Sequence, residues 1–312
     1  MEEIKRFRAS TAAITREAEA AARARLLHEI RTGREPGRRR LPRYAWRIVL
    51  AGAFAVVMGL GVIRSQTPSV VPVASVQELS ERAAEAAETH DGPEPSSGQW
   101  LYVKERLAPG AGVGVNLDER TTSETWTSVD GKHQAWYQPG GNLLVQGTHP
   151  GISAAELAEP PVTPQKVLSR IDTVTADAMA GWLDSDGSPY REPREQRLFQ
   201  AIYQLMGEQA LSPEVRAALF RALPSIKGVT VRPDAVDADG RRGVAFAYTG
   251  DWARYELILS PDDFRYLGTY GVTVKDRTNY SASGSVFVPA GTPLVLSAQL
   301  ETHLVDRAGQ RP

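Results

Sequence analysis

Sixteen consecutive residues without a charge, Ile48 to Ile63 (IVLAGAFAVVMGLGVI), are closed by Arg47 on one side and Arg64 on the other. As a helix this run rises about 24 Å, a little under the roughly 30 Å hydrocarbon core of a bilayer. The flanks make up the difference. Arg43, Arg47 and Arg64 can lay their stems along the acyl region with the guanidinium groups among the headgroups, and Tyr44 and Trp46 belong to the aromatic type that settles at that boundary. The run is therefore read as one transmembrane helix with Arg43, Tyr44, Trp46, Arg47 and Arg64 at the interface. A buried core helix is the alternative, but no polar stripe interrupts the run. Gly52 and Gly59 are seven residues apart, so there is no GxxxG pair to predict a dimer.

The formal net charge of -1 conceals a split. Residues 1–47 hold 13 Lys and Arg against 6 Asp and Glu, a net of +7; the other 265 hold 23 against 31, a net of -8. The positive-inside bias keeps the basic arm in the cytoplasm and exports the acidic portion. The expected location is the cell membrane, with one span, N-in and C-out. Val73-Ala74-Ser75 has the small residues of a cleavage site, but the 47 residues before the apolar run exceed an ordinary signal-peptide n-region. There is no cysteine, which excludes disulfides and thiolate-bound zinc.

In the basic arm, Ile14, Ala18, Ala22, Leu26 and Ile30 recur every four residues with Leu27 beside them, while Arg16, Glu17, Arg23 and Arg31 fall off that row. This predicts a short amphipathic helix whose narrow stripe needs something to bury against. Three readings stand: Ile14, Ala18, Ala22, Leu26, Leu27 and Ile30 bind a cytoplasmic partner, the helix is a solvated stalk, or it lies on the inner leaflet. Gly33, Pro36, Gly37 and Pro42 then break the chain into a tether whose Arg38, Arg39, Arg40 and Arg43 attract anionic headgroups. Nucleic acid is not needed to explain that cluster.

Residues 64–98 read as a linker carrying a short helix, Ser75-Val76-Gln77-Glu78 having capping-box spacing ahead of an Ala/Glu-rich segment to about Thr89. A domain over 99–312 follows. Trp100, Tyr102 and Lys104 alternate with Leu101, Val103 and Glu105; Glu124–Val129 and Lys132–Gln138 flank the turn pair Asp130-Gly131; Asn142–Gln146 adds a strand. Trp126 and Trp136 are expected to pack on sheet faces. Helices are predicted after Thr163-Pro164, over Arg194–Gln209 and after Ser212-Pro213, each with one apolar face. Strands return at Val229–Arg232, Gly243–Tyr248, Tyr255–Leu259, Leu267–Val274 and Leu294–His303. Strands, helices, then strands is an α+β order. The predicted architecture is a curved, half-barrel-like antiparallel sheet with helices on one face, preceded by the transmembrane helix and the cytoplasmic amphipathic helix.

The residues Arg216-Ala217-Ala218-Leu219-Phe220-Arg221-Ala222-Leu223, with Ile226, Gly228-Val229-Thr230-Val231, Asp239-Gly240-Arg241 and Gly243-Val244-Ala245, resemble a family of actinobacterial single-pass proteins often encoded beside extracytoplasmic-function sigma factors. Trp100 to Lys104, Trp126 ahead of Asp130-Gly131, and the Ala22 to Ile30 helix add to the likeness, although Ser260 stands where the family pattern has Asp. The resemblance implies a sigma-factor regulator of anti-sigma type, with an exported sensor domain similar to lipoprotein-carrier half-barrels. The alternative is a membrane-tethered lipid- or lipoprotein-binding domain.

No chemistry is evident in the motifs. Pro109 to Gly114 is Gly-rich but lies between strands, and neither Asp184-Ser185-Asp186-Gly187 nor Asp237-Ala238-Asp239-Gly240 continues to the acidic ligand a calcium loop requires. His28, His90, His133, His149 and His303 show no ligand spacing, and there is no G-x-S-x-G elbow. The expectation is a non-enzyme with no cofactor, no metal and no nucleic-acid partner, which meets the membrane, a cytoplasmic sigma factor and an extracytoplasmic lipid or protein ligand.

Overall fold

Ser75 starts the folded part. Its hydroxyl accepts a hydrogen bond from the Glu78 amide at 3.1 Å and caps helix α1, Val76–Glu88, whose Leu79, Ser80, Ala83, Ala84 and Ala87 are buried. The computed structural model describes residues 75–89, 95–111, 114–147, 152–178, 192–281 and 284–312, all within one unit, Ser65–Pro312. The predicted span and the cytoplasmic arm lie outside the described residues. Among those described, no helix is long and apolar enough to cross a membrane.

The strands are β1 (Trp100–Leu107), β2 (Gly110–Ala111), β3 (Gly114–Val115), β4 (Thr121–Ser128), β5 (His133–Tyr137), β6 (Leu143–Gly147), β7 (Val229–Val236), β8 (Arg242–Thr249), β9 (Ala253–Leu259), β10 (Tyr266–Thr273), β11 (Arg277–Ser281), β12 (Gly284–Val288) and β13 (Pro293–Val305). Helices α2 (Ala154–Leu157), α3 (Pro164–Ala178), α4 (Arg194–Glu208) and α5 (Pro213–Ala222) fall between β6 and β7. Nine strands form one antiparallel sheet in the order β6-β5-β4-β1-β13-β10-β9-β8-β7; β2-β3 and β11-β12 are separate hairpins. The protein is thus α+β with a large antiparallel sheet. The two small hairpins and α2 were not foreseen from the pattern.

The main core lies between the helices and the β7–β9 end of the sheet. Val167 and Ile171 of α3, Leu198, Phe199, Ile202 and Leu205 of α4, and Val215, Leu219 and Phe220 of α5 pack with Val244, Phe246 and Tyr248 of β8 and Tyr255, Leu257 and Leu259 of β9. Strand alternation sends Ala245 and Ile258 to the opposite face, into a smaller cluster with Ala235 and Leu267. Helix α1 belongs to the main core and not to a linker: the buried Ser80 hydroxyl donates to the Phe220 carbonyl, and Arg221 of α5 pairs with both Glu81 and Glu88.

Trp126 and Trp136 leave opposite faces of the sheet, because Trp126 pairs with Ala135 and Trp136 with Thr125. Trp126 is fully buried with Tyr102, Ala135 and Val305, and residues 306–312 fold over that cluster. The Trp126 indole donates to the Gln310 carbonyl at 2.6 Å, and Arg311 forks onto Glu124 at 2.8 and 2.6 Å. At the β4–β5 turn the hairpin is looser than a two-residue one. The Asp130 carboxylate accepts from the Ser128 hydroxyl and the Lys132 amide, so side chains complete the turn while Gly131 takes a φ of 72°.

The sheet has a seam. Strand β13 pairs with β1 along its later residues, from Leu107↔Ser297 to Trp100↔Val305, but with β10 only at Tyr270↔Leu296, Gly271↔Val295 and Val272↔Pro293. Beyond those pairs the two strands stay in close contact without ladder hydrogen bonds, and the β7–β8 turn fastens them together. Asp237, with a side chain 0% exposed, accepts from the Asp239 and Arg241 amides and from Arg241 Nε, which holds Arg241 Nη2 against the carbonyls of Leu267 (3.0 Å) and Gln299 (2.8 Å). The Asp237–Gly240 segment is therefore a self-satisfied structural turn. Gly268 is required at the seam, since a Cβ there would run into the Ser297 carbonyl.

Candidate functional site

On the helix-facing side of the seam polar side chains gather. Alternation along β1 puts Glu105 in line with Leu101 and Val103, the last of these buried. Across the strand Glu105 pairs with Gln299, whose amide donates to the Gly207 carbonyl at 3.2 Å and so brings the end of α4 onto β13. Glu208 is the last residue of α4. The ring of Tyr266 abuts Gly207, where a Cβ would come within 3.2 Å of it, and the Tyr266 hydroxyl meets Thr269 Oγ1 at 2.7 Å. Ser297 Oγ accepts from the Thr269 amide at 3.1 Å. One turn back along α4, Tyr203 stacks on Tyr255 with ring centroids 6.3 Å apart.

Among the described residues neither Glu105 nor Glu208 meets a cation or a hydrogen-bond donor, unlike Glu124, Glu256 and Glu301 of the same sheet. Burial, and after it the charge of Glu208, pushes the Glu105 carboxyl up to about 7. Glu208 is an exposed residue whose carboxyl is nonetheless desolvated by its surroundings and pushed up. Burial also raises the phenols of Tyr266 and Tyr203, with Glu105 and Glu208 adding to the first and the neighbouring Tyr255 and Tyr266 to the second. With its carboxyl raised to about 7, Glu105 is the group here that can accept from a cationic or hydrogen-bond-donating partner. Perturbed groups gathered in this way mark a functional-site candidate.

His133 and His303, the two described histidines, lie elsewhere, with rings 6.5 Å from those of Trp100 and Tyr102 respectively. Among the described residues no group of three or more His, Cys, Asp or Glu is placed to hold a metal ion. An open depression of about 240 Å³ is lined by Ile152, Glu156, Glu159, Ser169, Arg170, Thr173 and Val174.

The site residues expected from the sequence, Ile14, Ala18, Ala22, Leu26, Leu27 and Ile30 on the arm and Arg43, Tyr44, Trp46, Arg47 and Arg64 at the membrane, lie outside the described residues. The Glu105–Glu208 cluster was not anticipated. A signal for it existed, since Glu105 interrupts the apolar side of a strand; Glu208, at the end of a helix among polar neighbours, carried none. No protein-family model, curated protein or solved structure matches the chain. The family likeness therefore rests on the residues quoted for it above.

Proposed function

We propose that the chain is a single-pass membrane signalling protein: the basic arm engages a cytoplasmic partner, a sigma factor by the family resemblance, and the domain beyond the span is an extracytoplasmic sensor built on a curved, half-barrel-like sheet. The observation that supports it most is one of continuity. The uncharged run ends at Ile63, and the chain enters the core of the folded domain as α1 from Val76, so a change in the domain is covalently close to the span. The Glu105–Glu208 pair would give such a sensor a group that responds to acidity or to a cationic ligand.

The test is to purify the full chain from bacterial membranes after crosslinking, beside a Leu26→Asp/Leu27→Asp variant. The native chain should bring down a sigma factor and the variant should not. Recovery of no sigma factor, or equal recovery with both, would overturn the reading. Protease added to spheroplasts should digest the domain over 75–312 and leave residues 1–47 protected.

A further inference from the structure

The face of β8 and β9 turned away from the helices carries a second polar cluster, distinct from the Glu105–Glu208 pair. Glu256 interrupts the apolar run of β9 and is 2% exposed. Its Oε1 alone receives two guanidinium groups through their Nε atoms: Arg254, two residues earlier on β9, at 2.8 Å, and Arg232 of β7 at 3.3 Å. The register explains how they meet. Arg232 pairs with Ala245 and Glu256 with Ala247, both alanines fully buried, so the Arg232 side chain crosses a floor of methyl groups to reach the carboxylate. Tyr270 pairs with Glu256 from β10 and lies on the same face, where burial and then Glu256 push its phenol up against the pull of both arginines.

One arginine would neutralise Glu256; two leave a net charge of +1. The 3.3 Å approach of Arg232 Nε is an ion pair without hydrogen-bond geometry, so this buried donor has no hydrogen-bond partner. Among the described residues no Nη atom of either arginine has a hydrogen-bond acceptor, and the two side chains are 43% and 26% exposed. The carboxylate thus fixes two guanidinium groups from beneath and leaves their outer edges free. Planar forks of this kind match the oxygens of a phosphoryl group, and a dianion suits the residual positive charge better than a carboxylate does.

We propose that Arg232, Arg254 and Tyr270, set on Glu256, bind a phosphate monoester. The site needs nothing from the membrane or sigma-factor reading, and stands or falls separately from it.

The experiment is calorimetric titration of the full chain in neutral detergent at pH 7.5 with inorganic phosphate and with glycerol 3-phosphate. Glu256→Gln removes the internal competitor and keeps a hydrogen-bonding side chain on the floor, so it should tighten binding at least about tenfold. Arg254→Gln/Glu256→Gln, a neutral replacement of a neutral pair, should abolish that gain while circular dichroism shows an intact fold; Arg232→Gln/Glu256→Gln serves if it does not fold. Flotation with phosphatidic acid vesicles separates the sources. Because Arg38, Arg39 and Arg40 also attract anionic lipid, only the difference between Glu256→Gln and the double variant counts. Such a difference with vesicles alone assigns a lipid headgroup, and one with glycerol 3-phosphate assigns a soluble ester. Equal binding by Glu256→Gln and the double variant to every probe, or no gain from Glu256→Gln, overturns the site.

Discussion

Glu105 is the residue whose carboxyl burial raises into the neutral range. Its folded-state pKa of about 7 lies above the 4.5 of a free glutamate, so the folded chain holds the proton more tightly than the unfolded one. Both states are neutral there below about pH 4.5 and the site costs nothing; between about 4.5 and 7 the unfolded chain releases the proton while the folded one keeps it, so stability falls across that window and levels off above it. The loss should be roughly 2–3 kcal/mol between pH 4.5 and 8. Urea melts across that range should show it, and Glu105→Gln should flatten the slope and be the more stable protein at pH 8. An unchanged slope in the variant would remove Glu105 from the account. The residue was legible in principle, because a carboxylate in register with Leu101 and Val103 breaks the β1 alternation. Its partners Glu208 and Tyr266 were not, since α4 and β10 come together only through packing between elements some 60 residues apart in sequence.

Capped helices and alternating strands were the most readable parts of this chain. Ser75, Thr163 and Ser212 stand where their helices begin, the five long strands of the later sheet appear within a few residues of their expected bounds, and the Trp100 strand is β1. The pattern could not show that α1 is a core element. Its buried face is mostly alanine, which looks like a linker helix until α5 supplies the opposing surface. A chain starting at Ser75 should therefore unfold cooperatively in urea, and one starting at Gln99 should not, since it lacks the partner of Phe220 and Arg221. Leu79→Ala should cost about 2–5 kcal/mol by cavity formation, and Ser75→Ala about 1 kcal/mol by loss of the cap, each read from the urea midpoint. The hairpin β11–β12 escaped notice because its Ser, Asn and Gly content resembles a loop, and it pairs only with itself.

At the scale of the whole molecule, nine strands in one sheet suggest a single rigid body, but the three pairs between β10 and β13 join two unequal parts. The helices cover mainly the β7–β10 part, while the β1–β6 part is closed by residues 306–312 over Trp126. Arg241, held by Asp237, is the fastening between them. Replacing it with glutamine removes a guanidinium that serves two strand carbonyls and should cost about 2–3 kcal/mol, with the largest change in amide protection at Leu267 to Gly271 and Leu296 to Gln299. Equal protection losses throughout the domain would show that the sheet opens only as a whole. Hydrogen exchange of the native chain should then resolve two opening energies in place of one. The lower of these is the energy of parting the strands that carry Glu105 and Tyr266, so alkaline conditions, which charge Glu105, should shorten the lifetime of amides along that line well before the remainder of the domain responds.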